Sequence, residues 1–456
     1  MMLRVVSPAV LLALLVTAVP VAAQAPGLQA RIDGTPSGGE LVLEEGVYEG
    51  GIVIDRPMTL RGLPGAVVDG GGEGTAIEVI APDVTITGLV IRNTGDSLDR
   101  ENAGISANAP RVEITDNVFE NVLFGVFLRS ATDSLVARND IGAKDLGVAR
   151  RGDGIRLWES DGSTVVDNVV DGGRDVVLWF SDDLTIRGNV VTDGRYGLHF
   201  MYSDDALVER NRLASNSVGG FLMYSRGLTL LDNVFEDNYG PSGYGIGLKD
   251  MDGIVATGNH FVGNRVGVYL DNSPWSAGEW QTFSGNLFAY NRIGIEFLPS
   301  VKRNAFTANA FVDNGEQVGV VGGRDFSGNA WSVDGVGNYW SDFAGYDADG
   351  DGIGDIPHRV TSLYSSLTDE HPAVRLFDET PAARALDHAA LMFPIMRPQE
   401  KVTDEAPLVR RPAIRRAVDA PTPNSGPLVG VGLLFVGGAA ALILTSRRGV
   451  RGGMAA

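Results

Sequence analysis

One histidine and two methionines form the residue set in this chain best suited to binding a soft metal ion. His199 and Met201 flank a single residue, and Met223 lies further along in a similar sequence context, each methionine being followed by Tyr-Ser. Imidazole and thioether groups are ligands that suit Cu(I). The chain has no cysteine, so any soft-metal site in it has to use Met or His. The three residues predict a copper site if the fold brings Met223 beside Met201.

The element that must position these residues is a repeat. Asn189, Asn211 and Asn233 recur with a period of 22 residues. Self-similarity at a fixed period of this size predicts a solenoid. The short apolar runs are rich in Val, Ile, Leu and Phe and are separated by Gly, Asn and Asp, which predicts strands and turns. We therefore predict an all-β fold: a right-handed, single-stranded parallel β-helix with coils of about 22 residues and a short C-terminal helical cap.

A glycine opens most of the strands in question and allows the coils to be aligned. The markers are Gly154, Gly197, Gly219, Gly245, Gly267 and Gly294, with Asp175 in the equivalent place of its own coil. Because side chains alternate between the two faces of a strand, residues two and four places after the marker should point outward. Besides the three candidate copper ligands, this outward set contains the residues that we predict to bind partner proteins: Trp158, Trp179, Phe221, Lys249 and Tyr269.

Equivalent positions in stacked coils lie about 4.8 Å apart. Met223 is therefore predicted to stack directly on Met201, within one contiguous and exposed patch that is soft and aromatic. Large exposed apolar patches usually mark interaction sites. Two other interpretations fit the same residues: a surface that only binds a protein, and a patch that is covered by a flanking loop.

A second candidate site is an acidic loop. Asp347, Asp349, Asp351 and Asp355 occupy loop positions 1, 3, 5 and 9, and a glycine occupies position 6. This is the pattern of an oxygen-rich Ca²⁺ loop. Position 12 is His358, where a sensor loop needs a bidentate Glu. We predict a weak or structural Ca²⁺ site, and the alternative is an Asp/Gly turn that binds no ion.

The two ends of the chain predict a location outside the cytoplasm. Residues 1–23 combine a basic start, an apolar run and small residues, which is typical of a secretory signal peptide. Residues 427–446 form a long uncharged run, are followed by arginines, and are predicted to be a C-terminal transmembrane segment. An alternative is a C-terminal sorting signal that is cleaved off, because such signals have the same sequence pattern. The formal net charge of −20 argues against a nucleic-acid partner.

The remaining boundaries follow from composition. We predict the β-helix over 24–345, the acidic loop over 346–358 and a cap over 359–402, whose short helix runs from Thr380 to about Met392. The stretch 403–426 is rich in Pro and Arg and is predicted to be a linker.

Several motifs together resemble the NosD family over about residues 28–412. They are Gly197-Leu-His199-Phe-Met201-Tyr202-Ser203, Met223-Tyr224-Ser225, Tyr244-Gly-Ile-Gly-Leu-Lys249, Gly337-Asn-Tyr-Trp340-Ser-Asp342 and Ala406-Pro407-Leu408. The resemblance implies a periplasmic, copper-associated and non-enzymatic β-helix protein that takes part in the maturation of nitrous oxide reductase. The implied partners are the membrane and ATPase subunits of an ABC transporter, a copper chaperone and the reductase itself. The implied cargo is copper or a sulfur species. The C-terminal hydrophobic segment departs from the family pattern, so anchoring by this chain's own span or through the transporter is left open.

Two other functions remain open from the residues. A polysaccharide lyase, hydrolase or epimerase would need grouped carboxylates and bases, and Lys249, Asp271 and Glu296 lie on adjacent coils. A surface adhesin or carbohydrate-binding solenoid would use the aromatic patch as a platform for its ligand.

Overall fold

The computed structural model describes residues 27–321, 327–360 and 401–414, together with short stretches between 367 and 386. The predicted signal peptide, the predicted transmembrane segment and most of the predicted helix from Thr380 lie outside the described residues. Among the residues that are described, no helix is long and apolar enough to cross a membrane.

The described chain winds into a right-handed parallel β-helix of about 12 turns, and this confirms the predicted fold class. Each coil contributes one short strand to each of three parallel sheets, which contain 12, 13 and 12 strands. The order of strands within every sheet follows the order of the coils. Equivalent residues of successive coils therefore stand one above the other along the solenoid axis.

The strands of the first sheet are Gly39–Leu43, Met58–Gly62, Val84–Thr87, Glu113–Thr115, Leu135–Ala137, Thr164–Val166, Thr185–Arg187, Leu207–Glu209, Thr229–Leu231, Val255–Thr257, Gln281–Ser284 and Asn304–Thr307. Those of the second sheet are Gly46–Glu49, Ala66–Asp69, Val90–Arg92, Val118–Val122, Asp140–Ala143, Val169–Asp171, Val190–Thr192, Arg212–Ala214, Val234–Glu236, His260–Val262, Leu287–Ala289, Ala310–Val312 and Tyr339–Trp340. Those of the third sheet are Ile52–Ile54, Ile77–Val79, Ala103–Ala107, Phe124–Arg129, Ile155–Trp158, Asp175–Trp179, Tyr196–Met201, Val218–Met223, Tyr244–Lys249, Val266–Asp271, Ile293–Phe297 and Glu316–Val320. An antiparallel pair, His358–Val360 with Val402–Asp404, follows the last coil.

The interior of the solenoid is a continuous apolar core in which like residues stack on like. One column runs Phe235, Phe261, Phe288, Phe311 and Trp340, with ring centroids 5.0, 5.1, 4.8 and 4.2 Å apart. All five side chains are almost completely buried. Burial on this scale is the main favourable term for a solenoid, because each coil covers the apolar layer of the coil beside it.

A ladder of buried asparagines holds the coils in register. The side-chain oxygen of each asparagine accepts the backbone N–H and, at almost every rung, the side-chain N–H of the asparagine one coil earlier, as Asn211 does for Asn189 at 2.9 and 3.0 Å. The ladder consists of Asn117, Asn139, Asn168, Asn189, Asn211, Asn233, Asn259, Asn286, Asn309 and Asn338. The sequence distance between successive members ranges from 21 to 29 residues. The period of 22 is thus the most frequent coil length in the ladder, and the longer coils carry extra residues in their turns.

Two further ladders support the same register at other turns of the coil. Asn216 and Asn238 belong to a second asparagine ladder, in which Asn238 accepts the backbone N–H of Asn216 at 3.0 Å. Stacked serines do the same at the turn after the third sheet, where Ser203 accepts the backbone N–H of Ser181 at 3.0 Å. These hydroxyls satisfy turn backbone, as expected for Ser in turns.

The ends of the solenoid are closed in two different ways. The helix Leu28–Asp33, which the sequence analysis did not predict, buries Leu28 and Ile32 against the first coils. The apolar spacing of these two residues, four apart on one helix face, is the signal that could have shown it. Gln29 fixes this helix to the third sheet by two hydrogen bonds with the backbone of Val53, at 2.8 and 3.0 Å.

At the other end, Asp404 terminates the asparagine ladder. It is completely buried, and its Oδ2 accepts the backbone N–H of Asn338 at 2.7 Å and the indole N–H of Trp340 at 2.9 Å. Further along, Leu408 forms bridges to Tyr339 and Ile353. For residues 403–414 the linker interpretation is therefore corrected, because this stretch covers the last coil. Composition misled here, since Pro and Arg are also compatible with an ordered, irregular closing segment.

The ladder generates a stability prediction. Replacing Asn211 by Ala leaves the backbone N–H of Asn189 and the carbonyl of Ile186 without their partner. Because unpaired buried polar groups cost about 1–3 kcal/mol each, we expect Asn211→Ala to lower the free energy of unfolding by about 2–5 kcal/mol. Urea unfolding followed by circular dichroism measures this. The exposed Asn108→Ala should change it by less than about 0.5 kcal/mol, and an equal loss in both variants would contradict the role of the ladder.

Candidate copper-binding and docking face

The outer face of the third sheet brings the two candidate methionines together. Met201 is paired in register with Met223, and the same column continues to Trp179 on one side and Lys249 on the other. Both methionines are partly exposed. We refer to Met201 and Met223 as the methionine pair.

His199 lies on the same face but is not exposed, which corrects the expectation of an open patch. Its relative exposure is 4%. The next residue, Phe200, belongs to the solenoid core, so His199 is turned away from that core and is covered by its neighbours on the outer face. The ring of Trp179 meets the imidazole edge-on at a centroid distance of 5.1 Å, and that of Tyr196 does so at 5.0 Å.

A buried carboxylate orients the imidazole. Asp175 is 2% exposed, and its Oδ2 lies 3.2 Å from Nδ1 of His199. The same carboxylate accepts hydrogen bonds from Nε and Nη2 of Arg195, with Nε at 2.9 Å from Oδ1. A proton on Nδ1 satisfies Asp175, and this leaves the lone pair of His199 on Nε2.

The electrostatics of Asp175 favour this arrangement. Burial acts to raise the pKa of the carboxyl, but the hydrogen bonds from His199 and Arg195 outweigh it, so the pKa lies below its usual value. Asp175 is therefore ionised at neutral pH and acts only as an acceptor.

Nε2 of His199 is a buried polar atom that has no hydrogen-bond partner in the described part of the chain. The indole Nε1 of the adjacent Trp179 is likewise buried and has no hydrogen-bond partner in these described residues. Buried polar atoms of native proteins are nearly always paired, so these two unpaired atoms on neighbouring side chains make this position a candidate ligand site.

The sequence analysis does not identify Asp175 and Arg195 as site residues. It predicts that Asp175 is equivalent to the marker Gly197, whereas Asp175 is paired with Tyr196. The register shifts after Asp175, and the predicted alignment is confirmed from Val177, which is paired with His199, to Trp179, which is paired with Met201. The signal that could have found the site is the charge itself, since an aspartate at the start of an otherwise apolar strand needs a buried partner.

Two rows of aromatic rings flank the methionine pair. The first row, which we call the inner track, comprises Tyr196, Phe221, Tyr244 and Tyr269, with centroid distances of 5.4, 6.5 and 4.3 Å. The second, the outer track, comprises Trp158, Phe180, Tyr202 and Tyr224, with centroid distances of 5.1, 5.3 and 5.1 Å. Of the residues predicted to bind partners, Trp158, Phe221 and Tyr269 thus belong to the tracks, and Trp179 lies against His199.

Lys249, the fifth predicted partner-binding residue, ends the soft column. Its ammonium lies 3.0 Å from Asp271 and 3.4 Å from Asp250. The hydrogen bond that Lys249 donates to Asp271 is the main reason why the pKa of Lys249 is raised. Of the groups considered for sugar chemistry, Lys249 and Asp271 are thus joined in an ion pair, and Glu296 is buried.

The acidic loop has three carboxylates close together. Ligand oxygens of Asp347, Asp349 and Asp351 lie within 4.8 Å of one another. Asp355 instead accepts the backbone N–H of Ala348 at 2.6 Å. His358, at position 12, is buried, and its ring lies 5.0 Å from that of Trp340. The loop therefore offers three grouped carboxylates and no carboxylate at position 12.

The chain is similar to known proteins of one family. A family model described as "Periplasmic copper-binding protein (NosD)" matches residues 139–345, which include His199 and the methionine pair. A "Probable ABC transporter binding protein NosD" from Stutzerimonas stutzeri is 34% identical over 84% of this chain and 89% of its own length. A protein of the same description from Pseudomonas aeruginosa is 34% identical over 88% of this chain and 95% of its own.

The chain belongs to the NosD family. The A-module of the mannuronan C-5 epimerase AlgE6 from Azotobacter vinelandii is similar in structure, with a TM-score of 0.50, 15% sequence identity and coverage of 68% of this chain and 94% of the module. At that identity the likeness shows the fold alone. The relatives that establish the family are named as binding proteins.

A second buried carboxylate on this face generates a pH prediction. Asp153 is 4% exposed and lies 3.2 Å from Nε of Arg156. Burial raises its pKa to about 7, against the opposing charge of Arg156. Because the folded protein binds this proton more tightly than the unfolded chain, Asp153 makes the protein less stable as the pH rises from about 4 to about 7.

Asp153→Asn removes that dependence. We expect the variant to gain stability relative to the parent protein between about pH 5 and pH 8, as measured by urea unfolding at each pH. Asp116→Asn is the matched control: a hydrogen bond from Arg138 lowers the pKa of Asp116, so its titration falls below this range. The account of Asp153 is wrong if the difference in the free energy of unfolding between Asp153→Asn and the parent protein is constant over the same pH interval.

Proposed function

We propose that this protein is a periplasmic, non-enzymatic maturation factor that binds Cu(I) at His199, Met201 and Met223 and passes it on during assembly of the copper-sulfur site of nitrous oxide reductase. The observation that carries the proposal is the unpaired, buried Nε2 of His199 on the strand that also presents Met201. Membership of a family described as copper-binding supports the identity of the metal.

The donor set suits Cu(I) in particular. One imidazole nitrogen and two thioether sulfurs are soft or borderline ligands, and none of them carries a charge when bound. Nε2 lies below the surface, so the metal reaches it only if covering side chains move. Methionine side chains are flexible and allow such movement.

The surroundings suit transfer rather than storage. The inner and outer tracks provide aromatic rings on both sides of the methionine pair. Because Met201 and Met223 remain partly exposed, a docked protein could offer its own ligands to the ion without unfolding the site. The predicted mechanism is an exchange of ligands between two surfaces in contact.

The partners follow from the family. Relatives named as ABC transporter binding proteins support docking to the membrane and ATPase subunits of such a transporter. We further propose a copper chaperone as the donor and nitrous oxide reductase as the acceptor, with membrane association through the transporter or the C-terminal segment. The acidic loop is proposed to hold Ca²⁺ as a structural ion through Asp347, Asp349 and Asp351, whose oxygens are hard ligands.

A sulfur species is the second candidate for the cargo. The unpaired indole N–H of Trp179 favours it, because this group can donate to an anion but cannot bind a metal ion. The copper measurements that follow separate the two cargoes.

Removing the thioethers should weaken copper binding without changing the shape of the face. We expect the double variant Met201→Leu, Met223→Leu to bind Cu(I) at least about 10-fold more weakly, as measured by competition with a chromophoric Cu(I) chelator. The control is Met251→Leu, which replaces a methionine of the core.

A second experiment is done in cells. The triple variant His199→Ala, Met201→Ala, Met223→Ala should lower the copper content of the reductase, and normal copper loading of the reductase would contradict the proposed site.

Changing Asp175 tests how the imidazole is held. In Asp175→Asn, Arg195 can only donate, so the amide oxygen stays with it and the amide NH₂ faces Nδ1 of His199. The imidazole proton then moves to Nε2, and we expect Cu(I) affinity to fall by about 10- to 100-fold. Nitrogen-15 NMR of the histidine reports the tautomer. Unchanged affinity together with a changed tautomer would show that Nε2 is not a ligand.

A further inference from the structure

An acidic groove lies immediately beside the outer track. It has a volume of about 550 Å³ and runs along the turns that follow the third sheet. Its lining residues are Asp182, Tyr202, Asp204, Tyr224, Ser225, Arg226, Asp250, Asp252, Trp275 and Ser276. Tyr202 and Tyr224 directly follow Met201 and Met223 in the sequence, so the groove lies next to the methionine pair.

The aromatic walls of the groove are exposed and firmly held. Tyr202 and Tyr224 are 48% and 37% exposed, although they stack on each other with their rings only 15° from parallel. Trp275 is 62% exposed. Its backbone N–H and that of Ser276 are both bound by Oδ1 of Asp252, each at 3.0 Å. A large aromatic side chain that the backbone holds out into solvent is suited to meet a partner.

The charge of the groove is strongly negative. Four carboxylates line it, and the only cationic side chain among its lining residues is Arg226, which is paired with Asp204 at 2.9 Å. Asp182 uses Oδ1 to accept the backbone N–H of Asp204 at 2.7 Å. Asp250 accepts a hydrogen bond from Asn272 and lies 3.4 Å from Lys249. These contacts leave a formal excess of negative charge around exposed aromatic rings.

We propose that the acidic groove receives an arginine side chain of a protein partner that docks over the methionine pair. Guanidinium groups stack on aromatic rings and form forked hydrogen bonds with carboxylates, and a lysine ammonium does so less well. A neutral sugar could also stack on the exposed Trp275, but it would gain nothing from the four carboxylates, which favour a cation.

The position of the groove argues for a protein rather than a free small molecule. Phe180, Tyr202 and Tyr224 are exposed next to the methionine pair, and the two tyrosines also line the groove. A partner close enough to exchange copper with Met201 and Met223 therefore covers these rings and comes into contact with the groove. The inference rests on the proposed function for the place of docking, while recognition of arginine depends on the residues of the groove alone.

The test uses the metal-free mature protein and two short peptides that differ only in one residue, arginine or its neutral isostere citrulline. Binding is followed by the NMR signal of the indole N–H of Trp275. We expect a saturable shift with the arginine peptide and roughly five- to tenfold weaker binding of the citrulline peptide. The double variant Asp182→Asn, Asp250→Asn should weaken binding of the arginine peptide by a similar factor. Asn keeps an acceptor at position 182, and at position 250 it tolerates the positive φ of 49°.

The matched control is Glu159→Gln, Asp161→Asn. Asp161 accepts the backbone N–H of Asp182 from the preceding coil, and Glu159 has a positive φ like Asp250, but neither residue lines the groove. This control should bind the arginine peptide as the parent does. Equal binding of the two peptides, or equal loss in both double variants, would overturn the proposal.

A different result would contradict the proposal: the metal-free protein self-associates, and the double variant Asp182→Asn, Asp250→Asn abolishes this self-association. The groove would then bind a second copy of the chain. Cu(I) affinity is measured separately on the same variants and should not change. If arginine binding fails while Cu(I) binding persists, only this inference fails. If Cu(I) binding fails while arginine binding persists, only the copper site fails.

Discussion

The buried hydrogen bond that each ladder asparagine accepts from the coil before it is the constraint on which the rest of this structure depends. In a parallel sheet a slip by one residue exchanges the inner and outer faces of a strand. The ladder excludes such a slip, because every rung fixes one backbone N–H to one side-chain oxygen. Coils of different length can then share one register, since their extra residues are placed in turns. Asp404 ends this chain of donors with a carboxylate, which accepts hydrogen bonds and donates none.

That register gives the outer face its chemistry. Two thioethers from separate coils become neighbours only because Met201 and Met223 are paired across the third sheet. The one irregularity in the local register, between Asp175 and Val177, brings a carboxylate to the imidazole of His199. A buried polar network is tolerated when its members are satisfied. In the described part of the chain both oxygens of Asp175 are paired, whereas Nε2 of His199 and Nε1 of Trp179 are not.

The sequence predicted the regular features of this molecule and missed the irregular ones. Strict alternation and a repeated period were enough to predict the parallel β-helix and the pairing of Met201 with Met223. They could not predict that His199 is covered, because burial on an outer face depends on the ring positions of Trp179 and Tyr196. Nor could they identify Asp404 as the end of the ladder, since a residue 66 positions from Asn338 shows no periodic relation to it. The grouping of Asp347, Asp349 and Asp351 could be predicted from their spacing, whereas the burial of His358 could not.

The central claim is that one imidazole nitrogen and two thioether sulfurs meet on this face and bind Cu(I) together. X-ray absorption spectroscopy at the copper edge, on the mature protein loaded with one equivalent of Cu(I), tests it most directly. The account predicts a first shell of nitrogen and sulfur, with the sulfur contribution lost when both Met201 and Met223 are replaced by leucine. A first shell of nitrogen and oxygen alone, or a sulfur contribution that survives both replacements, would contradict it.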